Sequence, residues 1–392
     1  MLAINTHNSD NDMFSTHNEL KGVITYVGWV GHCNLGDEAA YLVNTKLFNQ
    51  YRLIPTLNEK CSKVSLFGGG TLLPDYARAL HPNKYNYAIG VGVKNTRFWG
   101  PFDSYTKEMM KRHRFRFLGV RGNISRKILK ETFEIESQVV GDPCLLLQPN
   151  SYHKKNDRLI ALNVGISSDK TWGDSEYLLK EVIKFCKHLK KAGYQLTLIP
   201  FWKGDLSYTK RVSEAADVGI FKEWSAIQKV LDFVASCYVL VGQKLHSVVF
   251  SAATYTPFIC MEYRPKCLDF AESVGFEKYT IRTDQVSALK LMKLFCDLLD
   301  NWTDMHNLCI KKVEGCRKTL RQFAAQIIED IESLPKDKWK IPGTLYNLES
   351  RILWGSEFFL YKNIHSFWNT WSASSLRKYF GYCRDSIIFG RT

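Results

Sequence analysis

The sequence lacks any pair of cysteines at C-x-x-C spacing, and its eleven cysteines follow no regular pattern. No set of cysteines and histidines has the spacing of a zinc site. Several cysteines, including Cys144, Cys237 and Cys260, lie within apolar runs, where a free thiol behaves as a small hydrophobic residue. We therefore expect a protein of a reducing compartment, without a disulfide framework and without a bound metal.

Long apolar runs are also missing from the chain. The sequence contains no stretch of about eighteen consecutive apolar residues, which excludes a membrane-spanning helix. The segment 1–20 is polar and rich in asparagine, and it lacks the basic segment and apolar run of a secretory signal. These absences predict a cytoplasmic protein with a flexible N-terminus over 1–20.

Acidic residues are in deficit, because 39 Asp and Glu face 53 Lys and Arg, which gives a formal net charge of +14. Such a charge suits nucleic acid, an anionic membrane surface or an anionic small substrate. The basic residues are spread along the chain, and no helix-turn-helix, zinc-finger or RNP-like motif occurs. We therefore expect no nucleic-acid partner, which leaves the membrane surface and the anionic substrate.

What the chain does contain is a repeated unit of a short apolar strand, a glycine and a helix. This pattern is typical of a doubly wound parallel sheet. It restarts after a polar linker at 148–158 and so predicts an α/β protein with two Rossmann-like domains, 21–150 and 156–284, that face a cleft. A helical segment at 285–334 is expected to pack back across both domains.

The individual elements follow from the same pattern. Strands are predicted at 22–29, 64–70, 87–93, 116–122 and 138–147 in the first domain, and at 159–165, 195–201 and 237–242 in the second. Helices are predicted at 39–48, 125–133 and 225–235. A further helix is expected to be capped by Asp174 and ended by Gly193.

The segment 335–392 differs in composition, because aromatic residues are interleaved there with lysine and arginine. One interpretation is an amphipathic surface that makes peripheral contact with an anionic bilayer at the inner face of the membrane. The other is a packing arm that covers the sheet or a dimer partner. The sequence leaves both interpretations open.

Two glycine-containing loops follow predicted strands and could hold a ligand. In the first loop Gly31, Asn34 and Gly36 precede Asp37 and Glu38 at the start of a helix, where free N–H groups attract an anion. The loop lacks G-x-G-x-x-G spacing, so a dinucleotide site is weakly supported. The two acids either cap the helix or hold an acceptor hydroxyl. In the second loop, the candidate backbone-binding residues are Gly69, Gly70 and Thr71.

Cationic side chains occupy similar positions at strand ends. Arg121 ends one predicted strand, and Lys244 and His246 follow another. Each has an ordinary structural explanation, a surface ion pair for Arg121 and a buried structural role for His246. At the carboxyl edge of an open sheet, however, fixed cations suit a phosphate or a carboxylate. Lys266 adds charge nearby in the sequence.

Taken in order, these segments resemble the polysaccharide pyruvyl transferase family. The resemblance runs from about Val23 to Phe276 and rests on the order of six segments: GHCNLGDEA, FGGGTLL, IGVGV, VRGNIS, VGDPCLLL and KLHSVVFSAATYTPFICMEYRPK. It implies a two-domain fold like that of GT-B glycosyltransferases. It also implies transfer of a pyruvyl group from phosphoenolpyruvate to sugar hydroxyls, with a cyclic ketal as the typical product.

The resemblance also implies roles for single residues. Arg121 matches the family's arginine after its fourth strand, and Lys244 to His246 match its Arg-Leu-His motif. Lys244 departs from the family, because a lysine keeps the charge and loses the two-pronged fork of arginine. Phosphoenolpyruvate would be held by Arg121, Lys244 and Lys266, while His246 would act as acid or base. Asp37 or Glu38 would orient or deprotonate the acceptor, and no cofactor or metal is required.

Two other functions fit the same pattern. A GT-B glycosyltransferase that uses a nucleotide sugar would share both domains and the basic cleft. A non-catalytic, membrane-associated scaffold would keep the fold and use the aromatic tail. If the tail does meet a membrane, a lipid-linked oligosaccharide becomes a plausible acceptor, and exopolysaccharide biosynthesis is the expected setting.

Overall fold

The computed structural model describes residues 20–55, 62–76, 84–112, 114–151, 155–165 and 170–335. The predictions for the N-terminus up to residue 19 and for the tail from residue 336 onward lie outside these residues. Within them, the chain forms two parallel sheets with helices, followed by two further helices. The predicted fold class, two parallel α/β domains with a helical C-terminal region, is confirmed.

The first domain is a seven-stranded parallel sheet with its helices. The strands are β1 (Gly22–Val27), β2 (Tyr51–Pro55), β3 (Val64–Gly68), β4 (Thr71–Leu73), β5 (Tyr85–Val93), β6 (Phe115–Val120) and β7 (Gln138–Val139). The helices are α1 (Leu35–Leu47), α2 (Thr96–Trp99), α3 (Ser104–Arg112) and α4 (Asn123–Phe133). The strand order is β2-β1-β3-β5-β6-β7, with β4 beside β5. Successive strands are therefore added to opposite sides of the sheet on either side of the boundary between β1 and β3. This boundary is the switch point of the sheet, the place where doubly wound sheets bind ligands.

The second domain repeats this plan with six strands. The strands are β8 (Asn156–Asn163), β9 (Gln195–Leu198), β10 (Gly219–Ile220), β11 (Cys237–Gly242), β12 (Phe258–Glu262) and β13 (Thr280–Arg282). The helices are α5 (Ser175–Lys191), α6 (Leu206–Ala216), α7 (Ile227–Ser236), α8 (Leu245–Ala253) and α9 (Lys266–Ser273). The strand order is β10-β9-β8-β11-β12-β13. Here the switch point lies between β8 and β11, so the residues after β11 are placed at it.

Helix α5 and strand β11 show why these elements form where they do. The Asp174 side chain accepts a hydrogen bond from Tyr177 N (2.7 Å) and so caps α5. Gly193 follows the helix with φ +84°, a conformation that glycine adopts without steric cost. Strand β11 is a nearly continuous buried run, as expected for a central strand of a parallel sheet.

Several element boundaries differ from those predicted. Strand β2 (Tyr51–Pro55) was missed, because five residues that end in proline give a weak signal at a sheet edge. Helix α1 begins at Leu35 and not at residue 39, because Gly36 in its first turn resembles a loop residue. The strand predicted at 138–147 is only β7, and Pro143–Leu146 form a 3-10 helix instead.

The helices α10 (Ala288–Asp300) and α11 (Trp302–Glu332) complete the fold. Arg317 of α11 is fully buried, and its guanidinium donates to Leu145 O (2.6 Å) and Leu147 O (2.9 Å) beside the first domain. The same group donates to Ala253 O at the end of α8 (2.8 Å). Helix α11 therefore makes hydrogen bonds to both domains and connects them. Among the helices of the described residues, none has the length and apolar character needed to cross a membrane.

Candidate active site between the two domains

The loop after β1 is joined by backbone hydrogen bonds to the segment after β9. Leu35 N donates to Phe201 O (2.9 Å), and Lys203 N donates to Cys33 O (3.2 Å). Each segment follows a strand near the switch point of its own sheet. The two carboxyl edges therefore face each other, and side chains from both domains share one space.

A second contact between the domains lies at the start of α4. The N-cap position of α4 is Gly122, which has no side chain to cap the helix. Asp269 of α9 takes over this role, because its carboxylate accepts from Ile124 N (2.9 Å), Ser125 N (3.2 Å) and Ser125 Oγ (2.6 Å). Asp269 is 2% exposed, so burial raises its pKa, while the hydrogen bonds from Ser125 lower it.

Gly36 lies directly against the imidazole of His246. A Cβ atom placed on Gly36 would lie 1.8 Å from His246 Nδ1, which is far inside van der Waals contact. The first turn of α1 therefore approaches the first turn of α8 only because residue 36 has no side chain. We predicted Gly36 to be a ligand-binding loop residue, and the structure places it in α1 as the surface on which His246 packs.

Arg121 and His246 come from different domains and flank one buried carboxylate. Arg121 Nε donates to Asp142 Oδ2 at 2.8 Å, and His246 Nε2 lies 3.9 Å from the same oxygen. Arg121 and Asp142 are fully buried, and His246 is 8% exposed. Within the described residues, Arg121 Nη1 and His246 Nε2 have no hydrogen-bond partner. Buried polar atoms rarely lack a partner, so this pair marks a place where a ligand fits.

The electrostatic surroundings keep His246 neutral at neutral pH. Burial lowers the pKa of His246 to about 4, since the charged imidazolium loses its water. Asp142 raises that pKa, whereas the positive charges of Arg121 and Lys266 lower it further. An anion bound between these cations would compensate them and favour protonation of the imidazole.

Asp37 and Lys266 are brought to similar proton affinities. Burial, reinforced by Glu38 and Asp142, raises the pKa of Asp37 to about 7, although Lys266 and Arg121 oppose this shift. Burial and the neighbouring Arg264 lower the pKa of Lys266 to about 8. Asp37 also faces the triple-glycine loop, because a Cβ atom on Gly70 would lie 3.6 Å from Asp37 Oδ1.

The other predicted residues of the first loop support its backbone. The Glu38 carboxylate accepts from Gly31 N (2.8 Å), and the Asn34 side chain caps α1 by accepting from Gly36 N (3.2 Å). Gly31 adopts φ +87°, which glycine tolerates. Of the two acids proposed for the acceptor, the structure therefore gives Glu38 a partner within the loop and leaves Asp37 facing the cleft.

The second loop contributes a tight turn and the hydroxyl group of Thr71. Gly69 and Gly70 have φ values of +68° and +64°, which explains why β3 ends at Gly68 and not at residue 70. Gly70 O accepts from Arg121 Nη2 at 3.0 Å and so orients the guanidinium. Thr71 Oγ1 is buried and, in the part of the chain that is described, has no hydrogen-bond partner. A Cβ atom on Gly92 would lie 3.2 Å from both Thr71 Oγ1 and Arg121 Nη1, so the two groups are neighbours.

Lys244 lies beside the buried side chain of Tyr263. Its Nζ lies 3.2 Å from Asp205 Oδ1, and it sits 5.3 Å from the centre of the Tyr263 ring. Lys266 and Arg264 approach the same ring at 5.1 Å and 5.3 Å. Burial raises the pKa of Asp205 to about 6, although Lys244 opposes the shift. Three cations thus surround Tyr263, which suits an anionic ligand.

One group of side chains has the composition of a metal site. Ligand atoms of Asp142, Cys144 and His246 lie within 4.8 Å of one another, and all three residues are buried. Asp142 already pairs with Arg121, and burial keeps the pKa of the Cys144 thiol well above its usual range. A protonated thiol and a cation on the shared carboxylate fit a small organic anion better than a metal ion.

Three residues of this site were not predicted from the sequence. Asp142 is the acid of the VGDP segment, and its position after a strand was the signal that could have identified it. Asp205 and Trp202 lie in a loop without a motif, and only the approach of the two domains brings them to the site. Arg121, His246, Asp37 and Lys266 were predicted, and the structure brings them together.

Comparisons with known proteins agree with this architecture. A model of the polysaccharide pyruvyl transferase family matches residues 34–265, which is more than half of the chain. No curated protein sequence matches significantly. A solved Listeria monocytogenes protein described as a UDP-N-acetylglucosamine 2-epimerase is 10% identical, with a TM-score of 0.52 over 81% of this chain and 98% of its own.

Two further solved structures have lower scores. A Thermobaculum terrenum O-GlcNAc transferase mutant is 11% identical, with a TM-score of 0.46 over 82% of this chain and 68% of its own. TarM is 13% identical, with a TM-score of 0.40 over 75% of this chain, and this chain spans 57% of its length. At these identities the structural likeness concerns the fold alone.

Proposed function

The chain belongs to the polysaccharide pyruvyl transferase family, and from this premise we propose that it transfers the pyruvyl group of phosphoenolpyruvate to two hydroxyls of a glycan, as a cyclic ketal. The acceptor is a polysaccharide or a lipid-linked oligosaccharide. One observation carries the proposal: Arg121 Nη1 and His246 Nε2, from different domains, are buried without a partner among the described residues on either side of Asp142.

The donor is held by its negative charges. Phosphoenolpyruvate carries a phosphate and a carboxylate, and a guanidinium binds either group through paired N–H donors. Arg121 is fixed by Asp142 and Gly70 with Nη1 directed to the ligand. Lys266 adds a second positive charge, and Lys244 adds a third near the ring of Tyr263.

Addition of the first hydroxyl to the donor needs proton transfer at two places. The methylene carbon of the donor gains a proton, and the adjacent carbon is attacked by a sugar hydroxyl that loses its own. The bond from that carbon to the phosphate oxygen then breaks, phosphate leaves with the electron pair, and a second hydroxyl closes the ketal. One hydroxyl proton replaces the one given to the methylene, and the other leaves with phosphate.

We assign the two proton transfers to two side chains. The bound donor places negative charge beside His246, which raises its proton affinity and lets Nε2 protonate the methylene carbon. Asp37, whose pKa is raised to about 7, accepts the proton of the attacking hydroxyl. Positioned acid–base groups of this kind each contribute on the order of 100- to 10,000-fold to a rate.

The test is release of inorganic phosphate from phosphoenolpyruvate in the presence of candidate glycans, with the pyruvyl ketal detected by mass spectrometry of the glycan. His246→Gln is expected to lower kcat by at least about 100-fold with the fold retained. His188→Ala, at an exposed position of α5, is the matched control and should keep wild-type activity. Full activity of a folded His246→Gln protein would overturn the assignment.

Ligand-induced stabilisation separates this function from nucleotide-sugar transfer. A ligand at about 100 times its dissociation constant stabilises the folded state by about 2.7 kcal/mol. Phosphoenolpyruvate is expected to raise the melting temperature, whereas UDP-glucose and UDP-N-acetylglucosamine leave it unchanged. The opposite pattern would identify a glycosyltransferase.

A further inference from the structure

Three partly exposed aromatic side chains form a cluster beside the site, and the proposed reaction does not use them. The rings of Trp29 and His32 are stacked, with centroids 4.4 Å apart and an interplanar angle of 13°. The indole of Trp202 lies 6.2 Å from that of Trp29 at an angle of 53°. Trp29, His32 and Trp202 are each only partly buried, so ring surface remains accessible to a ligand.

The cluster is rigid because both domains hold it. Trp202 belongs to the second domain, and its Nε1 donates to His32 O of the first domain (3.2 Å). The flanking backbone is paired across the domains at Cys33, and Glu38 holds the amide of Gly31. Cys33 adopts φ +53°, which is uncommon for a residue with a side chain. These contacts fix the orientation of the rings before any ligand arrives.

The position of the cluster relates it to the acceptor side of the reaction. The loop that carries Trp29 and His32 continues directly into Gly36 and Asp37, the proposed base. On its other side, the Trp202 ring lies 5.2 Å from Lys244 Nζ, and Lys244 pairs with the buried Asp205. A ligand that packs on these rings would therefore have charged hydrogen-bonding groups along one of its edges.

A pyranose ring has the complementary chemistry. One face of the ring presents C–H groups, which pack on the electron-rich face of an indole, while its hydroxyls project at the edge toward hydrogen-bonding groups. A flat and preoriented aromatic surface loses little conformational entropy when it binds. The chain belongs to the polysaccharide pyruvyl transferase family, which favours a glycan as the ligand of this surface.

We propose that Trp29, His32 and Trp202 form a sugar-binding subsite that holds a pyranose ring of the glycan acceptor and delivers its hydroxyls to Asp37. The identification of this glycan as the acceptor rests on the proposed pyruvyl transfer. The binding of a sugar to the rings does not, and it can be measured without phosphoenolpyruvate.

The binding test uses the full-length protein and four disaccharides, namely lactose, maltose, cellobiose and chitobiose, at millimolar concentrations. Binding of at least one of them is expected to change the tryptophan fluorescence of the wild type. Trp29→Ala should weaken that binding by about tenfold or more, since one stacking partner is lost. Tyr105→Ala, an exposed aromatic of α3 that lies outside the cluster, is the control and should bind like the wild type.

The kinetic test separates this subsite from the donor site. With an active acceptor glycan, Trp29→Ala should raise the acceptor KM about tenfold or more and leave the phosphoenolpyruvate KM within about twofold of the wild type. Trp202→Phe, which keeps an aromatic ring and removes the Nε1 donor, should give a smaller rise. Equal increases in both KM values would mean a structural effect and would overturn the subsite.

The outcomes of the two tests can be told apart. Sugar binding that is lost in Trp29→Ala, in a protein that releases no phosphate with any glycan, supports the subsite and contradicts pyruvyl transfer. Phosphate release with unchanged acceptor kinetics in Trp29→Ala supports the transfer and contradicts the subsite. The subsite is also wrong if no disaccharide changes the fluorescence of the wild type, or if UDP-glucose alone does.

Discussion

Among single side chains of the candidate site, Asp37 and Lys266 both have strongly shifted pKa values. Burial raises the pKa of Asp37 to about 7 and lowers the pKa of Lys266 to about 8, so an acid and a base of very different ordinary strength become nearly equal. Around neutral pH, a proton can then move to or from Asp37 at little cost. Perturbed groups of this kind cluster at functional sites, because catalytic acids and bases need pKa values matched to their task.

The raised pKa of Asp37 lowers the free energy of unfolding at neutral pH, and this effect gives a prediction for Asp37→Asn. The folded-state pKa of Asp37 lies above its unfolded value, so its contribution to stability is fully present below about pH 4 and is lost as the pH rises to about 7. Above about pH 7, the neutral asparagine is therefore expected to stabilise the fold by up to about 4 kcal/mol relative to wild type, since each pKa unit of the shift corresponds to about 1.4 kcal/mol. Urea unfolding at several pH values measures this difference.

The same variant is expected to be catalytically poor. Its kcat should fall by at least about 100-fold, because the proposed base is absent. Asp157→Asn, at an exposed position of β8, should change neither stability nor activity. If Asp37→Asn were less stable than the wild type at about pH 8, the raised pKa of Asp37 would be wrong.

At the level of secondary structure, the contact between α1 and α8 decides the geometry of the site. Gly36→Ala introduces a methyl group into the space of the His246 imidazole, which must rotate or move away. We expect a loss of stability of about 1–3 kcal/mol from overpacking, together with a fall in kcat of more than about tenfold. Thermal unfolding and phosphate release report the two effects.

Gly315 of α11 offers a matched control for this substitution. A Cβ atom on Gly315 would meet nothing within 4 Å, and the residue is exposed in a helix. Gly315→Ala is therefore expected to stabilise the protein by about 0.5–1 kcal/mol with unchanged activity. If Gly36→Ala behaved like Gly315→Ala, the packing of His246 on α1 would have no functional consequence.

The elements that the sequence predicted well are those with long buried runs or clear caps. Central strands such as β5 and β11 and the capped helix α5 have these signals, and they appear close to their predicted positions. The predicted start of α1 was late, because a glycine in a first helical turn is locally indistinguishable from a loop glycine.

The candidate site was only partly predictable for a related reason. Arg121 and His246 follow strands and have side chains that can bind an anion or move a proton, so the sheet pattern alone placed them at the ligand-binding edge. Asp205 and Trp202 reach the site only through the contact between domains, which no local pattern reports. The separate tasks of Asp37 and Glu38 also depend on the loop conformation, because both acids occupy adjacent positions of the same turn.

At the scale of the whole molecule, the two domains are joined by several contacts among the described residues, and three of them show how the joining works. The loop at Cys33 pairs with the backbone at Lys203, Asp269 caps α4, and Arg317 of α11 binds carbonyl groups beside both sheets. The first two contacts involve residues that follow strands or begin helices at the carboxyl edges of the sheets, whereas Arg317 joins the 3-10 helix region of the first domain to the end of α8. The relative position of Arg121 and His246 therefore depends on contacts that neither residue makes.

Asp269→Ala tests this dependence. The variant loses three hydrogen bonds at the start of α4, which we expect to cost about 1–3 kcal/mol of stability. The KM for phosphoenolpyruvate should also rise, since the domain that carries Arg121 is less firmly held. Asp174→Ala removes a cap within the second domain alone and should destabilise the protein without that rise. Equal KM values in the two variants would contradict a role for Asp269 in joining the domains.

The central claim is that one molecule of phosphoenolpyruvate is bound by Arg121 and His246 together. Calorimetric titration of the wild type, Arg121→Lys, His246→Gln and the double variant with phosphoenolpyruvate tests it most directly. The account predicts one binding event per chain, a loss of affinity of about tenfold or more in each single variant, and a double variant weaker by less than the product of the two losses. Wild-type affinity in either single variant, or strictly multiplicative losses, would contradict it.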